Sequence, residues 1–416
     1  MSESVLSNGV RILTETIPSV RSVSAGVWVK QGSAHETLDT MGASHLLEHM
    51  VFKGTERRSP RELALALEGL GGSLDAYTSR EHTSFQARVL DEHLVEAMDV
   101  LSDMVLHPLL RDEDLELERE VVLEEISTVD DTPDDLVFEL HAEAFWNGHP
   151  YGHSILGTRD TVAGMEAETL RKLHQSRYRA ENLLVAAAGN VEHERMVELA
   201  ERFFGGLSSG GLVSSGQLPA PLDRGVSAVV RDAAQTHIVF GAPTPARTDM
   251  RRYPLILLSA ALGGGMSSRL FQRVREELAL AYTVYTFQSF YSLGGISGVY
   301  VGTRPGWGEK AVDAIREELG RVAREGLPGE ELARTKSQVK GQIMLSLEST
   351  GARLYRLAGF ALHDEKFLSL DELLARVDAV TEDEVLAAAQ ASFDPERQFV
   401  LQLGPGVDPQ DAGLAP

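Results

Sequence analysis

The chain contains no cysteine in its 416 residues. Disulfides, thiolate zinc fingers and cysteine nucleophiles are therefore excluded, and any metal site must be built from His, Asp and Glu. No stretch approaches the roughly 18 uninterrupted apolar residues that span a bilayer, so no membrane association is expected. Positive charge is scarce. With 39 Lys and Arg against 62 Asp and Glu, the net charge is 39 − 62 = −23, a balance that repels nucleic acid and anionic surfaces. If part of that charge lines a cavity, it favours basic peptides as ligands. The opening residues, Met1-Ser2-Glu3-Ser4-Val5, carry neither the basic nor the apolar segment of a secretory signal, and the expected location is cytoplasmic. The run Gly263-Gly264-Gly265 lacks the following Lys-Ser/Thr of a phosphate-binding loop. It reads as a flexible loop that handles substrate or leads into a helix.

What is present is an ordinary globular composition, 43% hydrophobic and 24% charged, in a chain longer than one core usually organises. A Gly/Ser-rich stretch, Ser209 to Gly216, lies near the middle and reads as a linker. On each side of it the same order of features appears. A strand-like alternation opens each half, Ser22 to Val29 and Gln235 to Phe240. Small residues ahead of a helix follow, Met41 to Ser44 and Gly263 to Ser268. An apolar strand with a glycine turn closes each half, Asn182 to Gly189 and Gln398 to Gly404. The expected fold is α+β, with two homologous domains, each a mostly antiparallel sheet covered by helices. Residues 1–208 form the metal-binding domain, 209–220 the linker and 221–416 the second domain.

Within the first half, Arg61 to Leu70 reads as a helix ended by Gly71-Gly72. Two strands, Ser73 to Ser79 and Thr83 to Leu90, flank a polar turn. Glu92 to Leu106 is an amphipathic helix and Asp112 to Val129 an acidic one, and the tail from Pro405 to Pro416 is expected to fray.

The segment His45-Leu46-Leu47-Glu48-His49 carries the chemistry. On a helix, residues four apart share a face, so His45 and His49 can aim their imidazoles at one ion. Glu48, three residues from His45, reaches a water at that ion. Leu46 and Leu47 point into the core. This is the inverted order of the His-Glu-x-x-His peptidase motif. A third ligand is needed, and the acidic helix offers Glu116, Glu118, Glu120, Glu124 and Glu125. Spacing alone does not choose among them. Glu118 and Glu125 are seven apart and share a face, so one can ligate while the other orients a ligand.

Gly42 to Thr55, together with Glu118-Arg119-Glu120-Val121-Val122-Leu123-Glu124-Glu125-Ile126, resembles the pitrilysin-type inverzincin zinc peptidases. Within that family it resembles the branch of mitochondrial processing peptidase and its bacterial homodimeric relatives. The resemblance runs from about Ile12 to about Leu403. It implies zinc as cofactor, one ion per protomer because the second half has no His-x-x-Glu-His. It also implies Glu125 as third ligand, 125 − 49 = 76 residues after the second His, with Glu118 as the supporting carboxylate and Glu124 as the runner-up.

Gly71 to Thr83 resembles the strand whose edge pairs with the peptide substrate through the backbone at Ala76. Asp75 stands where the family usually has Asn. Ser268 to Tyr282 resembles the family's substrate clamp, with Arg275 on a peptide carbonyl and Tyr282, 282 − 275 = 7 residues on, at the oxyanion.

The resemblance further implies two copies closed around a chamber, each serving the other's zinc, so a monomer is expected to be nearly inactive. The implied activity is hydrolysis of peptides or unfolded segments, with Glu48 as general base. The competing reading is a non-catalytic substrate-binding or scaffold subunit of the same fold. Such chains lose part of the zinc motif, whereas this one keeps His45, Glu48, His49, Glu125, Arg275 and Tyr282.

Overall fold

The computed structural model describes residues 1–211, 216 and 218–407. Most of the expected linker core, 212–215 and 217, and the tail 408–416 lie outside the described residues. The described chain forms two compact units, each assembled from three separate stretches. The first takes Met1–Ser127, His153–Gly216 and Leu345–Phe367; the second takes Thr128–Gly152, Gln217–Met344 and Leu368–Pro416. Each unit thus contains a segment from the opposite half of the sequence.

The first unit is built on six strands: β1 (Ser2–Val5), β2 (Arg11–Thr16), β3 (Ser22–Val29), β4 (Ser73–Thr78), β5 (Thr83–Leu90) and β6 (Leu183–Gly189). Their order across the sheet is β1-β2-β6-β3-β5-β4. Only the β2–β6 pair is parallel. The second unit has β7 (Gly225–Val230), β8 (Thr236–Thr244), β9 (Ala281–Phe290), β10 (Gly295–Thr303) and β11 (Phe399–Gly404), in the order β7-β11-β8-β10-β9. Its one parallel pair is β7–β11. Apart from β1, the two sheets share one topology, which is the structural form of the internal repeat. The α+β class with mostly antiparallel sheets is what the structure has.

Both faces of the first sheet are covered. Val23, Ala25, Val27 and Val29 of β3 point into the core shared with the helices Ala43–Val51 and Leu94–Leu106. On the far face Trp28, Leu13, Leu184, Ala186 and Ala188 pack under Leu354, Leu357, Ala358 and Ala361. Those four belong to the helix Thr350–Leu362, which comes from the second half of the sequence. Burying each of Leu354 and Leu357 stabilises that docking by roughly 1.5–3 kcal/mol. Polar contacts set its ends: Thr350 Oγ1 lies 2.9 Å from Ser24 Oγ, and Arg11 donates to Ala361 O at 2.8 Å.

The second unit repeats the device with the helix Pro133–Trp146, drawn from the first half and packed on β8 and β11. His141 of that helix is buried and donates its Nε2–H to Phe399 O at 3.2 Å. Gly241 of β8 makes room for it, since a Cβ there would meet His141 Cε1 at 2.3 Å.

Following β8, the helix Arg252–Gly263 holds the place that Ala43–Val51 holds after β3. It contains no His, Asp or Glu. The internal repeat aligns Gly263 to Ser268 with Met41 to Ser44, which puts the expected counterpart after Ser268. Instead Gly263 and Gly264 end the helix, and Gly263 must be glycine because a Cβ would meet Thr286 N at 2.4 Å. The loop after it does lead into a short helical segment, Phe271–Glu277.

Candidate metal centre

The helix Ala43–Val51 is anchored at its start by a buried carboxylate. Glu36 accepts from the amides of Gly42 and Ser44 at 2.9 and 2.6 Å, satisfying two donors that a helix start leaves free. Burial raises the Glu36 pKa, and those hydrogen bonds oppose the rise. Gly42 has φ of +88°, and a Cβ there would meet Leu156 O at 2.6 Å, so glycine is required at this bend. Leu46, Leu47, Met50 and Val51 bury the inner face of the helix, which turns His45, Glu48 and His49 towards one side.

There they meet the acidic helix Asp112–Asp131, which buries Leu115, Glu118, Val122 and Ile126. Ligand atoms of His45, His49 and Glu125 lie within 4.8 Å of one another, the one such group among the described residues. Glu125 Oε2 is 3.7 Å from His45 Nε2, and Oε1 is 3.7 Å from His49 Nε2. Those gaps are too long for hydrogen bonds. They sit near the roughly 3.3 Å that separates ligand atoms of a tetrahedral ion with bonds of about 2.0 Å. Two imidazole nitrogens and one carboxylate are a zinc donor set, and the residues present fit that ion. Glu124, the runner-up, is exposed and outside the group.

His49 has a carboxylate at each ring nitrogen. Glu118 Oε2 lies 3.1 Å from Nδ1, opposite Glu125 at Nε2. A carboxylate accepting from Nδ1–H leaves the Nε2 lone pair for a metal. Glu118 is itself 7% exposed and paired with Lys53. His45 lacks such support, its Nδ1 being buried with no hydrogen-bond partner among the described residues. Burial, with His49 nearby, lowers the His45 pKa to about 4, so its ring is neutral at physiological pH.

Glu48 stands beside this group. Its Oε2 accepts from the Thr78 hydroxyl at 2.6 Å. Burial raises its pKa above the ordinary carboxylate value; the Thr78 contacts and His49 oppose the rise, and Glu125 adds to it. Thr78 ends β4, and β4 is the outermost strand of its sheet. Ala76 is therefore on an open edge, and Asp75 is exposed there.

In the second unit the Arg275 guanidinium lies over the Tyr282 ring, 4.3 Å from its centroid, and over Phe271 at 4.7 Å. Tyr282 is 74% exposed. The structure thus brings together His45, Glu48, His49, Glu118 and Glu125 in one unit, and Arg275 with Tyr282 in the other. Sequence reasoning missed Glu36, Lys53 and Thr78. Thr78 lay inside the quoted strand motif, but nothing local marks a threonine as the partner of a residue 30 positions earlier.

Residues 11–159 match the family model described as insulinase (peptidase family M16), and residues 164–339 match the peptidase M16 inactive domain. An "uncharacterized zinc protease" of Streptomyces coelicolor is 40% identical over 98% of this chain and 90% of its own length. Another, of Bacillus subtilis, is 38% identical over 95% of this chain and 96% of its own. Among solved structures, a protease from Helicobacter pylori superposes with a TM-score of 0.91 at 20% identity, covering 97% of this chain and 99% of that one. A peptidase M16 inactive domain from Pseudomonas fluorescens gives 0.92 at 19% identity over 98% of both. At those identities the two structures speak for the fold.

Proposed function

The chain belongs to the insulinase-type peptidase family M16 and is a zinc protease that hydrolyses peptides, and on that footing we propose that it is an endopeptidase using Glu48 as general base, with His45, His49 and Glu125 as the metal ligands. The observation that carries this reading is the meeting of two His Nε2 atoms and the Glu125 carboxylate beside a buried, hydrogen-bonded Glu48.

When bound, zinc supplies Lewis acidity, which acidifies water and polarises a carbonyl. The chain's own residues do the rest. Glu48 takes a proton from the attacking water and passes it to the leaving amine. Its raised proton affinity suits that exchange. Glu118 keeps the His49 ring in the tautomer that presents Nε2. The open edge of β4 binds an extended peptide through its backbone at Ala76. Tyr282 donates its hydroxyl to the developing oxyanion, and Arg275 holds a substrate carbonyl. Two copies of the chain close around a chamber, with Arg275 and Tyr282 of each serving the metal group of the other. The substrate is a peptide or unfolded segment, and a basic one complements the net charge of −23.

Glu48→Gln tests the assignment. The variant is expected to keep stoichiometric zinc by elemental analysis and to lose peptide hydrolysis by at least about a hundredfold. Near-wild-type turnover would remove Glu48 from the role.

A further inference from the structure

Across the far face of the first sheet, one row of side chains runs outwards and stops at the open edge. Trp28 of β3 pairs with Ser84 of β5, and Ser84 pairs with Tyr77 of β4. Directly paired residues stand on the same face. Trp28 packs under the helix Thr350–Leu362 on the far face, so Tyr77 stands there too. Ser84 is small, and Tyr355 of that helix spans the space above it. The Tyr355 ring meets Trp28 edge-on at 6.5 Å and Tyr77 at 6.0 Å. The Tyr77 hydroxyl lies 2.9 Å from His82 Nε2, which fixes the ring. Trp28 is 1% exposed, whereas Tyr355 is 43% exposed.

The backbone register says what an added strand would do here. Ser79 N–H donates to His82 O at 2.8 Å. In an antiparallel ladder hydrogen-bonded pairs alternate. Tyr77 and Asp75 therefore direct their amides and carbonyls towards β5, and Leu74, Ala76 and Thr78 direct theirs off the edge. A peptide pairing antiparallel with β4 forms its hydrogen-bonded pair at Ala76. Opposite Tyr77 it makes the non-hydrogen-bonded kind, which brings side chains closer. That residue stands on the far face, against the Tyr77 ring. Its neighbours opposite Ala76 and Thr78 stand on the other face, where Thr78 holds Glu48.

We propose that Tyr77 and Tyr355 form an aromatic subsite that selects a bulky apolar or aromatic substrate side chain at one position close to the cleaved bond. The proposal rests on the edge-strand reading above and adds a specificity to it. Both residues act through substrate contact; neither touches the metal group.

The test uses internally quenched peptides carrying Ala, Leu, Phe or Lys in turn at each position around the cut. They are assayed as kcat/KM with the zinc-loaded full chain and with Tyr355→Ala and Tyr355→Leu. At one position Phe is expected to exceed Ala by about tenfold. Tyr355→Ala is expected to bring that ratio towards one, with ratios at other positions unchanged. Tyr355→Leu, which keeps apolar volume should the alanine variant not fold, is expected to lose the preference for Phe over Leu. Ratios that stay as in the wild type, or that fall equally at all positions, would overturn the subsite and leave the hydrolytic reading standing. Failure of the wild type to cleave any of the peptides would overturn the endopeptidase reading, and the subsite with it.

Discussion

The Thr78 side chain donates its hydroxyl to Glu48 Oε2 at 2.6 Å. One residue thus ends the edge strand β4 and also holds the carboxylate of the metal helix. Thr78→Val keeps the branched shape that suits a strand and deletes the donor. The expected result is a fall in kcat of about tenfold or more with zinc content intact, because a mispositioned base loses near-attack geometry. Unchanged kcat, measured on a quenched peptide, would show that Glu48 needs no such support.

In the proposed metal group Glu118 stands behind His49, its Oε2 3.1 Å from Nδ1. Removing the acceptor at His49 Nδ1 frees the ring to rotate and to change tautomer. Glu118→Ala is expected to weaken zinc binding by roughly 10- to 100-fold, read by competition with a chromophoric chelator. Glu125→Gln is expected to lose more, since it strikes the donor set itself. Equal zinc affinity in Glu118→Ala and wild type would contradict the orienting role.

The proposed assembly makes the active site composite. If Arg275 and Tyr282 serve a second copy, an inactive Glu48→Gln chain and an inactive Tyr282→Phe chain complement each other when mixed. Random pairing of equal amounts is expected to restore about a quarter of wild-type activity per chain. Mixtures no better than the separate variants would place the whole site within one chain.

A pH dependence follows from His141. Burial lowers its pKa from 6.5 to about 4, and the hydrogen bond to Phe399 opposes the shift. Above the unfolded value both states are neutral and nothing changes with pH. Below it the unfolded chain takes up a proton that the folded one refuses, so stability is lost as pH falls from 6.5 towards about 4. Between about pH 7 and about pH 5 the loss is roughly 2 kcal/mol. His141→Gln keeps a donor for Phe399 O and does not titrate. It is expected to flatten this part of the slope in urea unfolding of zinc-free protein, and an identical slope in both proteins would refute the assignment.

Legibility in the sequence followed the range of the interactions. Ser22–Val29, Thr83–Leu90 and Leu183–Gly189 are strands as their apolar patterns indicate, and the acidic helix runs over Asp112–Asp131. The two His and Glu48 stand on one side of their helix because a 3.6-residue period leaves them no alternative. Periodicity could not choose among five glutamates, since all of them satisfy the same helix.

By itself, then, the sequence determined the local elements, the exclusion of thiol chemistry and the His45-Glu48-His49 face. Tertiary structure alone decided which glutamate approaches both Nε2 atoms, which carboxylate takes Nδ1 and which threonine holds the Glu48 carboxylate. It also decided that the helices Pro133–Trp146 and Thr350–Leu362 each complete the sheet of the opposite half. The reason is physical. Helix and strand are set by hydrogen bonds and side-chain periods a few residues long, whereas Thr78 and Glu48 meet across 30 positions and Ser24 and Thr350 across 326. Such pairs exist only once apolar faces have chosen which sheet to cover.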